Sequence, residues 1–127
     1  MKRLLLLTVV FAAASCAAQN HKIMIFGGND HRTYLGCLNC SQWAPDSVLN
    51  HLGAHGSQLE SESIFNRFGE FGGKFSNNSP CSPFASAPPV IVDERGNYYG
   101  ELTIAFRPNR TRSLALQNWI AGVCAAQ

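Results

Sequence analysis

Two segments of the chain have the hydrophobic pattern of β-strands. "KIMIF", residues 22–26, is a short continuous apolar run that favours a buried strand, and the turn-forming "GGND" follows it. "PPVIVDERGNYYGELTIAF", residues 88–106, predicts a hairpin, because an apolar run and an alternating run flank a glycine-containing turn at 93–97. The alternation predicts that the second strand continues as far as Phe106.

A different period near the C-terminus predicts a helix. In "RTRSLALQNWIAGVC", residues 110–124, apolar residues recur three and four positions apart from Leu116 onward, and Trp119 lies on the same face. Thr111 or Ser113 precedes this pattern as a candidate N-cap. We therefore expect a C-terminal helix whose tryptophan face packs on the sheet.

Between these segments, residues 41–88 contain a repeat of 16 residues, clear in two copies and degenerate in a third. Each clear copy predicts one or two helical turns that end at Gly53 or Gly69. The candidate N-cap is Asp46 or Ser47 in the first copy and Glu62 or Ser63 in the second. Helices this short are not stable alone, so we expect the apolar columns to pack between copies and complete the core. The columns in register are Ser47, Ser63 and Ser79; Asn50, Asn66 and Ser82; Leu52, Phe68 and Phe84; Gly56, Gly72 and Pro88; and Trp43, Leu59 and Phe75.

These elements predict one small α+β domain at residues 19–127, with a largely antiparallel sheet, short glycine-terminated helical repeats and a C-terminal helix. A second hypothesis for the repeats is that their glycines and asparagines form a binding surface, because glycine lets a ligand approach the backbone closely.

The first 18 residues have the layout of a secretory signal peptide. Lys2 and Arg3 precede an apolar run at 4–11, and small residues follow it. The run is shorter than the roughly 20 residues that a membrane-spanning helix needs. Cleavage before Cys16 would resemble the processing of a bacterial lipoprotein, with Cys16 as the lipidation candidate, whereas ordinary cleavage after Ala17 would remove this cysteine.

The charge of the mature chain argues against general nucleic-acid binding. Removing Lys2 and Arg3 leaves eight of the ten basic residues, which matches the eight acidic residues. Nucleic-acid binding depends on many contacts between basic side chains and phosphates. The local arginine cluster in "RPNRTR", residues 107–112, is more typical of a solvated turn than of an anion site.

Four cysteines remain beyond the leader, namely Cys37, Cys40, Cys81 and Cys124. An even number in an exported domain indicates two disulfides, and three pairings are open. We expect a member of "CLNC" to pair with Cys81 or Cys124. The alternative is that the Cys37/Cys40 CxxC serves thiol-redox chemistry or metal binding.

No catalytic constellation stands out, and the sequence predicts neither a cofactor nor a metal site. His51 and His55 are four residues apart, but the glutamate of the zinc-protease motif is missing. No G-x-S-x-G nucleophile motif and no phosphate-binding loop is present.

Three motifs together resemble a group of small exported bacterial proteins of unknown function. These are "YLGCLNC", the repeated S[VI]xNxxGxxG and "PPVIVDERGNYYG", which cover residues 34–104. The resemblance implies export and assigns no catalytic residue. The sequence thus predicts a non-enzymatic envelope or surface protein of unknown ligand and partner, stabilised by disulfides. It would be periplasmic, secreted, or held at a membrane surface by a lipid on Cys16.

Overall fold

The computed structural model describes residues 21–127. The signal segment at 1–18 and the lipidation candidate Cys16 lie outside these residues. The described chain forms four strands and one helix, which confirms the small α+β fold. In chain order these are β1 (Ile23–Gly27), β2 (Thr33–Cys37), β3 (Val90–Asp93), β4 (Tyr98–Glu101) and α1 (Leu114–Ala125).

The strands form one antiparallel sheet in the order β2-β1-β3-β4. The register aligns Gly36, Ile25, Ile91 and Gly100 in a row across it, and the two isoleucines are completely buried. Both glycines have positive φ, 120° at Gly36 and 96° at Gly100. A side chain at Gly36 would collide with the repeat segment, and one at Gly100 would collide with the backbone of Thr111. The glycines therefore let the neighbouring loops pack directly on the sheet.

The structure shortens one predicted strand and adds another. β4 ends at Glu101, and Phe106 is almost fully exposed, so the prediction of a strand that reaches this residue is wrong. The chain turns away because Glu101 bonds to the later segment instead, its N–H to the Asn109 carbonyl and its carbonyl to the Thr111 N–H. β2, whose last residue Cys37 is the first of "CLNC", is a strand that the sequence pattern did not predict.

The helix α1 closes the core from the C-terminal end. Ser113 is its N-cap and accepts a hydrogen bond from the Leu116 N–H at 3.3 Å, as the sequence predicts. Ile120 and Cys124 enter the hydrophobic core, while Trp119 meets the Phe65 ring edge to face at 6.2 Å. Within the described residues, no helix is both long and apolar enough to cross a bilayer.

The repeat segment contains no helix within residues 38–89, so the predicted helical turns are wrong. It is instead a chain of β-turns in steps of three or four residues. The Asn50 N–H bonds to the Ser47 carbonyl at 3.1 Å, and the Gly53 N–H bonds to the Asn50 carbonyl at 3.0 Å. Serine and asparagine side chains recur at the turn positions and bind nearby N–H groups, which favours turns over a continuous helix.

Candidate functional site

The serine column of the repeats is buried, and its hydroxyls hold the turns together. Ser47, Ser63 and Ser79 are all completely buried. The Ser63 hydroxyl donates to the His55 carbonyl at 3.3 Å and accepts from the Phe65 N–H at 3.2 Å. Ser47 repeats this arrangement one copy earlier. The buried serines thus satisfy backbone groups that no strand pairs.

A glycine column lets successive turns lie against one another. A Cβ on Gly56 would collide with the backbone of Asn50, and one on Gly72 would collide with the backbone of Asn66. Beside this contact, the Asn66 amide donates to the Glu60 carbonyl at 3.1 Å. The polar and glycine columns therefore form the inside of the repeat.

The largest apolar side chains of the repeat lie on the outside. Phe75 is 99% exposed and Leu52 is 97% exposed. The expectation that these columns pack between copies and complete the core is wrong for both of them, because the turns bury Ser47, Ser63 and Ser79 together with Val48, Ile64 and Pro80 instead. The exposed columns are Trp43, Leu59 and Phe75, and Leu52, Phe68 and Phe84.

Four of these side chains form a continuous surface, which we call the apolar ridge: Leu59, Phe68, Phe75 and Phe84. A shallow groove of about 750 Å³ lies between the first two, and another of about 670 Å³ lies between the last two. A smaller groove joins Phe68 to Phe75. Residues 121–127, at the C-terminal end of α1, contribute to the floor of all three grooves.

The ridge carries positive charge at its centre. The Arg67 guanidinium lies 4.7 Å from the centre of the Phe68 ring, and Lys74 lines the groove between Phe68 and Phe75. Of the described residues that line this central groove, none has a carboxylate side chain, and the last residue of the chain, Gln127, is among them. Glu70 lies nearby, but its carboxylate accepts from the Asn78 amide at 2.7 Å.

The four cysteines form two disulfides, Cys37–Cys40 and Cys81–Cys124. The expectation that "CLNC" pairs with a distant cysteine is therefore wrong. Cys37 ends β2, and a tight turn returns the chain to it at Cys40, with 5.6 Å between the two Cα atoms. Cys81 faces α1 from the third copy of the repeat. With all four sulfurs in disulfides, no cysteine of the described chain offers a thiolate to a metal.

The histidines do not supply a metal site either. His55 is buried, and its Nδ1 lies 2.9 Å from the Glu62 carbonyl oxygen, whereas His51 is exposed. Across residues 21–127, no three His, Cys, Asp or Glu side chains come close enough to one another to hold a metal ion.

A fourth groove, of about 600 Å³, lies between the start of α1 and the sheet. Its walls are mainly apolar, and its polar side chains serve the fold. Asn39 bonds to the backbone of His21 and Ile23, Thr111 accepts from the Ser113 N–H, and Ser113 caps the helix. Among the residues that line this groove, Arg112 is the one with a charged side chain, and none of the ion pairs found in the described residues includes it. The groove offers a ligand little polar recognition.

One cluster of ionisable groups lies at the edge of the sheet. The Tyr34 hydroxyl donates to Asp46 at 2.5 Å, and Lys22 forms an ion pair with the same carboxylate. Burial, together with the Asp46 carboxylate, raises the pKa of Tyr34 to about 12. The hydrogen bond with Lys22 lowers the pKa of Asp46. Tyr34 therefore stays protonated at neutral pH, and the cluster links the first repeat to β1 and β2.

The arginine cluster is structural in two of its three members. The Arg107 Nε donates to the buried Glu101 carboxylate at 2.6 Å, and Arg110 donates to the Thr103 carbonyl at 2.9 Å. Both fix the loop after β4. Arg112 is the exposed member.

No protein-family model matches this chain, and searches of curated proteins and of solved structures give no significant match. The candidate site therefore rests on its own geometry. Sequence reasoning missed it because it assigned the apolar columns to the core. The signal that could have revealed the ridge is the recurrence of Ser and Asn in the repeat columns. Asn66, for example, comes two residues before the exposed Phe68.

Proposed function

We propose that this protein is an exported, non-enzymatic binding module of the cell envelope or cell surface, and that its apolar ridge is the binding surface. The observation that carries the proposal is the inversion within the repeat, which buries small polar side chains and exposes Phe68 and Phe75. Contiguous exposed apolar patches on soluble proteins mark interaction sites. The ridge continues across four side chains, which distinguishes it from scattered surface residues.

Export and the lipid anchor are part of this proposal. The leader pattern at 1–18 supports export, and so do the two disulfides, which persist in oxidising compartments. A lipid on Cys16 would keep His21 near a membrane, because five extended residues span at most about 18 Å. Cys16→Ala should abolish labelling by an acyl-chain precursor, and a mature chain that begins after Cys16 would contradict the anchor.

The proposal is tested with mature protein that carries no lipid. Envelope fragments of the producing organism are mixed with the protein and sedimented, and the bound fraction is compared with that of Phe68→Ser/Phe75→Ser. We expect the ridge variant to lose most of its binding. Leu114→Ser is the matched control, since Leu114 is 71% exposed at the opposite end of α1. Equal binding by all three proteins would contradict the ridge as a binding surface.

A second candidate function is thiol–disulfide exchange, and the Cys37–Cys40 bond favours it. A disulfide within a CxxC is the oxidised form of a redox-active dithiol, and Cys40 is only half-buried. A dithiol partner would reduce this bond to two thiols and leave as a disulfide. Alkylation of Cys37 and Cys40 after mild reductant, with Cys81 and Cys124 still bonded, would support it. Resistance of both disulfides to the same treatment would exclude it.

A further inference from the structure

The ridge side chains project singly into solvent, and the backbone beneath two of them is fixed. The Leu59 N–H donates to the Ser57 hydroxyl, and the Phe68 N–H donates to the Asn66 side chain, each at 3.1 Å. Phe75 and Phe84 are 99% and 88% exposed among the described residues. The ridge is therefore a row of protruding apolar side chains on a rigid support.

Two cations, Arg67 and Lys74, are the charged side chains that line the groove at the centre of the ridge. Arg67 stacks on Phe68, and Lys74 follows on the groove that leads to Phe75. Aliphatic and aromatic side chains that protrude next to cations are the combination that binds the interface of an anionic bilayer. Glu60, beside Leu59, is the exposed acidic neighbour at one end.

We propose that the apolar ridge inserts into the surface of an anionic lipid bilayer, with Arg67 and Lys74 against the headgroup phosphates. This inference rests on the proposed function, because it names the partner of the same surface. A fluid bilayer accepts protruding side chains at any spacing, whereas a folded protein partner needs pockets that match each of them. The nearly complete exposure of the rings and the paired cations both fit the bilayer.

The test uses mature protein without lipid and sedimentation with two kinds of vesicle. One kind is phosphatidylcholine alone, and the other is phosphatidylcholine and phosphatidylglycerol in equal parts. We expect binding to the mixed vesicles, weakened about tenfold or more for Phe68→Ser/Phe75→Ser because two apolar rings no longer enter the lipid. Arg67→Gln and Lys74→Gln should each weaken it about fivefold, from the loss of one charge at the surface.

Three controls distinguish insertion through the ridge from nonspecific adsorption to the vesicles. Leu114→Ser should bind the mixed vesicles as the unaltered protein does. Glu60→Gln should strengthen binding, since it removes the acidic group beside the ridge. Raising the salt to about 1 M should weaken binding, because it shortens the screening length to about 3 Å.

The outcomes distinguish this inference from the proposed function. Binding to envelope fragments through the ridge, without binding to either vesicle, would overturn the bilayer as partner and identify a protein or glycan instead. Equal binding to both vesicle types would overturn the role of Arg67 and Lys74. If Phe68→Ser/Phe75→Ser binds envelope fragments as well as the unaltered protein does, the proposed function is overturned as well.

Discussion

The sheet and the turn repeats differ in the polar residues that they bury and in the apolar residues that they expose. In the sheet, Ile25 and Ile91 are completely buried, as apolar residues usually are, while in the repeats Ser63 is completely buried and Phe75 is 99% exposed. The difference follows from the backbone. Strands satisfy one another's N–H and C=O groups, so the space between them and the helix can be apolar, but consecutive turns leave groups that buried hydroxyls must bind. The repeat therefore buries serine side chains beside Val48 and Ile64, and it exposes other large apolar side chains such as Phe68 and Phe75.

The largest effect should come from the disulfide that joins the repeats to α1. Cys81–Cys124 closes a segment with a sequence separation of 43, against 3 for Cys37–Cys40. The longer closed loop removes more entropy from the unfolded chain. Cys81→Ala/Cys124→Ala should lower the free energy of unfolding by about 4 kcal/mol, and Cys37→Ala/Cys40→Ala by about 2 kcal/mol. Denaturant unfolding measures both, and equal losses would contradict the role of the Cys81–Cys124 bond as the link between repeats and helix.

The close approach of successive turns gives the next effect. Gly72→Ala should lower the free energy of unfolding by about 3 kcal/mol, because its Cβ would collide with the backbone of Asn66. Gly122→Ala is the matched control on α1, where nothing lies within 4 Å of the added methyl group. It should raise the free energy of unfolding by about 0.5–1 kcal/mol. A neutral Gly72→Ala would show that the turns do not pack as described.

The sheet could be predicted from sequence more fully than the repeat. The reason is that the repeat buries serine side chains and exposes several of its large apolar side chains. Apolar runs correctly indicated β1 and β3, and the helical period from Leu116 onward correctly indicated α1, because each element places an apolar residue in the core: Ile25, Ile91 and Ile120. The predicted end of β4 was wrong because the apolar–polar alternation continues to Phe106, whereas the strand ends at Glu101. There the backbone bonds to Asn109 and Thr111. β2 was missed because Gly36, which lets the repeat pack on it, also makes the segment look like a turn.

In the repeat, the period was visible but its inside and outside were not. Ser63 and Phe68 fit an amphipathic helical turn as well as they fit a β-turn, since both structures accept an N-cap serine and a glycine stop. Spacing alone does not say which column faces the core. The pairing of the cysteines was equally open, because it depends on the third copy lying against α1.

Removing one buried hydroxyl tests the polar inside of the repeat directly. Ser63→Ala leaves the His55 carbonyl and the Phe65 N–H without their partner, which should lower the free energy of unfolding by about 2 kcal/mol. Ser61→Ala, at an exposed position two residues earlier, should change it by less than about 0.5 kcal/mol. If the two variants unfold alike, the buried serines do not stabilise the turns.

The hairpin of the sheet should differ from the turns of the repeat in how its stability depends on pH in the acid range. Asp93 holds its turn as the serines hold theirs, since its carboxylate accepts from the Arg95 N–H at 2.8 Å and the Asn97 N–H at 3.0 Å. The hydrogen bonds from the Tyr99 hydroxyl and the Asn97 side chain, together with these two backbone bonds, lower the pKa of Asp93 in the folded protein. An aspartate with a lowered pKa stabilises the fold above its unfolded pKa of about 4, and the contribution is lost as the pH falls below that value.

Unfolding at a series of pH values measures this contribution by comparison with Asp93→Asn. The variant should be less stable than the unaltered protein at neutral pH, and the gap should close as the pH falls from about 4. Asp46 also has a lowered pKa, but it is present in both proteins, so its contribution cancels in the difference between their free energies of unfolding. A gap that does not depend on pH would mean that the charge of Asp93 does not hold the turn. The serine turns contain no ionisable cap, so Ser63→Ala should show the same stability loss at every pH.

The smallest expected change in the free energy of unfolding comes from replacing an exposed aromatic ring of the repeat. This small change tests directly which side of the repeat faces solvent. Phe75→Ser should change the free energy of unfolding by less than about 0.5 kcal/mol, since a ring that is 99% exposed contributes almost no buried area. Phe71→Ser, four residues earlier in the repeat segment, replaces a ring that is 7% exposed in the core and should cost about 3 kcal/mol or more. The same replacement of the same residue type therefore measures which side of the repeat is the inside. A large loss for Phe75→Ser would show that the ridge packs against the protein, and a surface that packs against its own chain is not free to meet a partner.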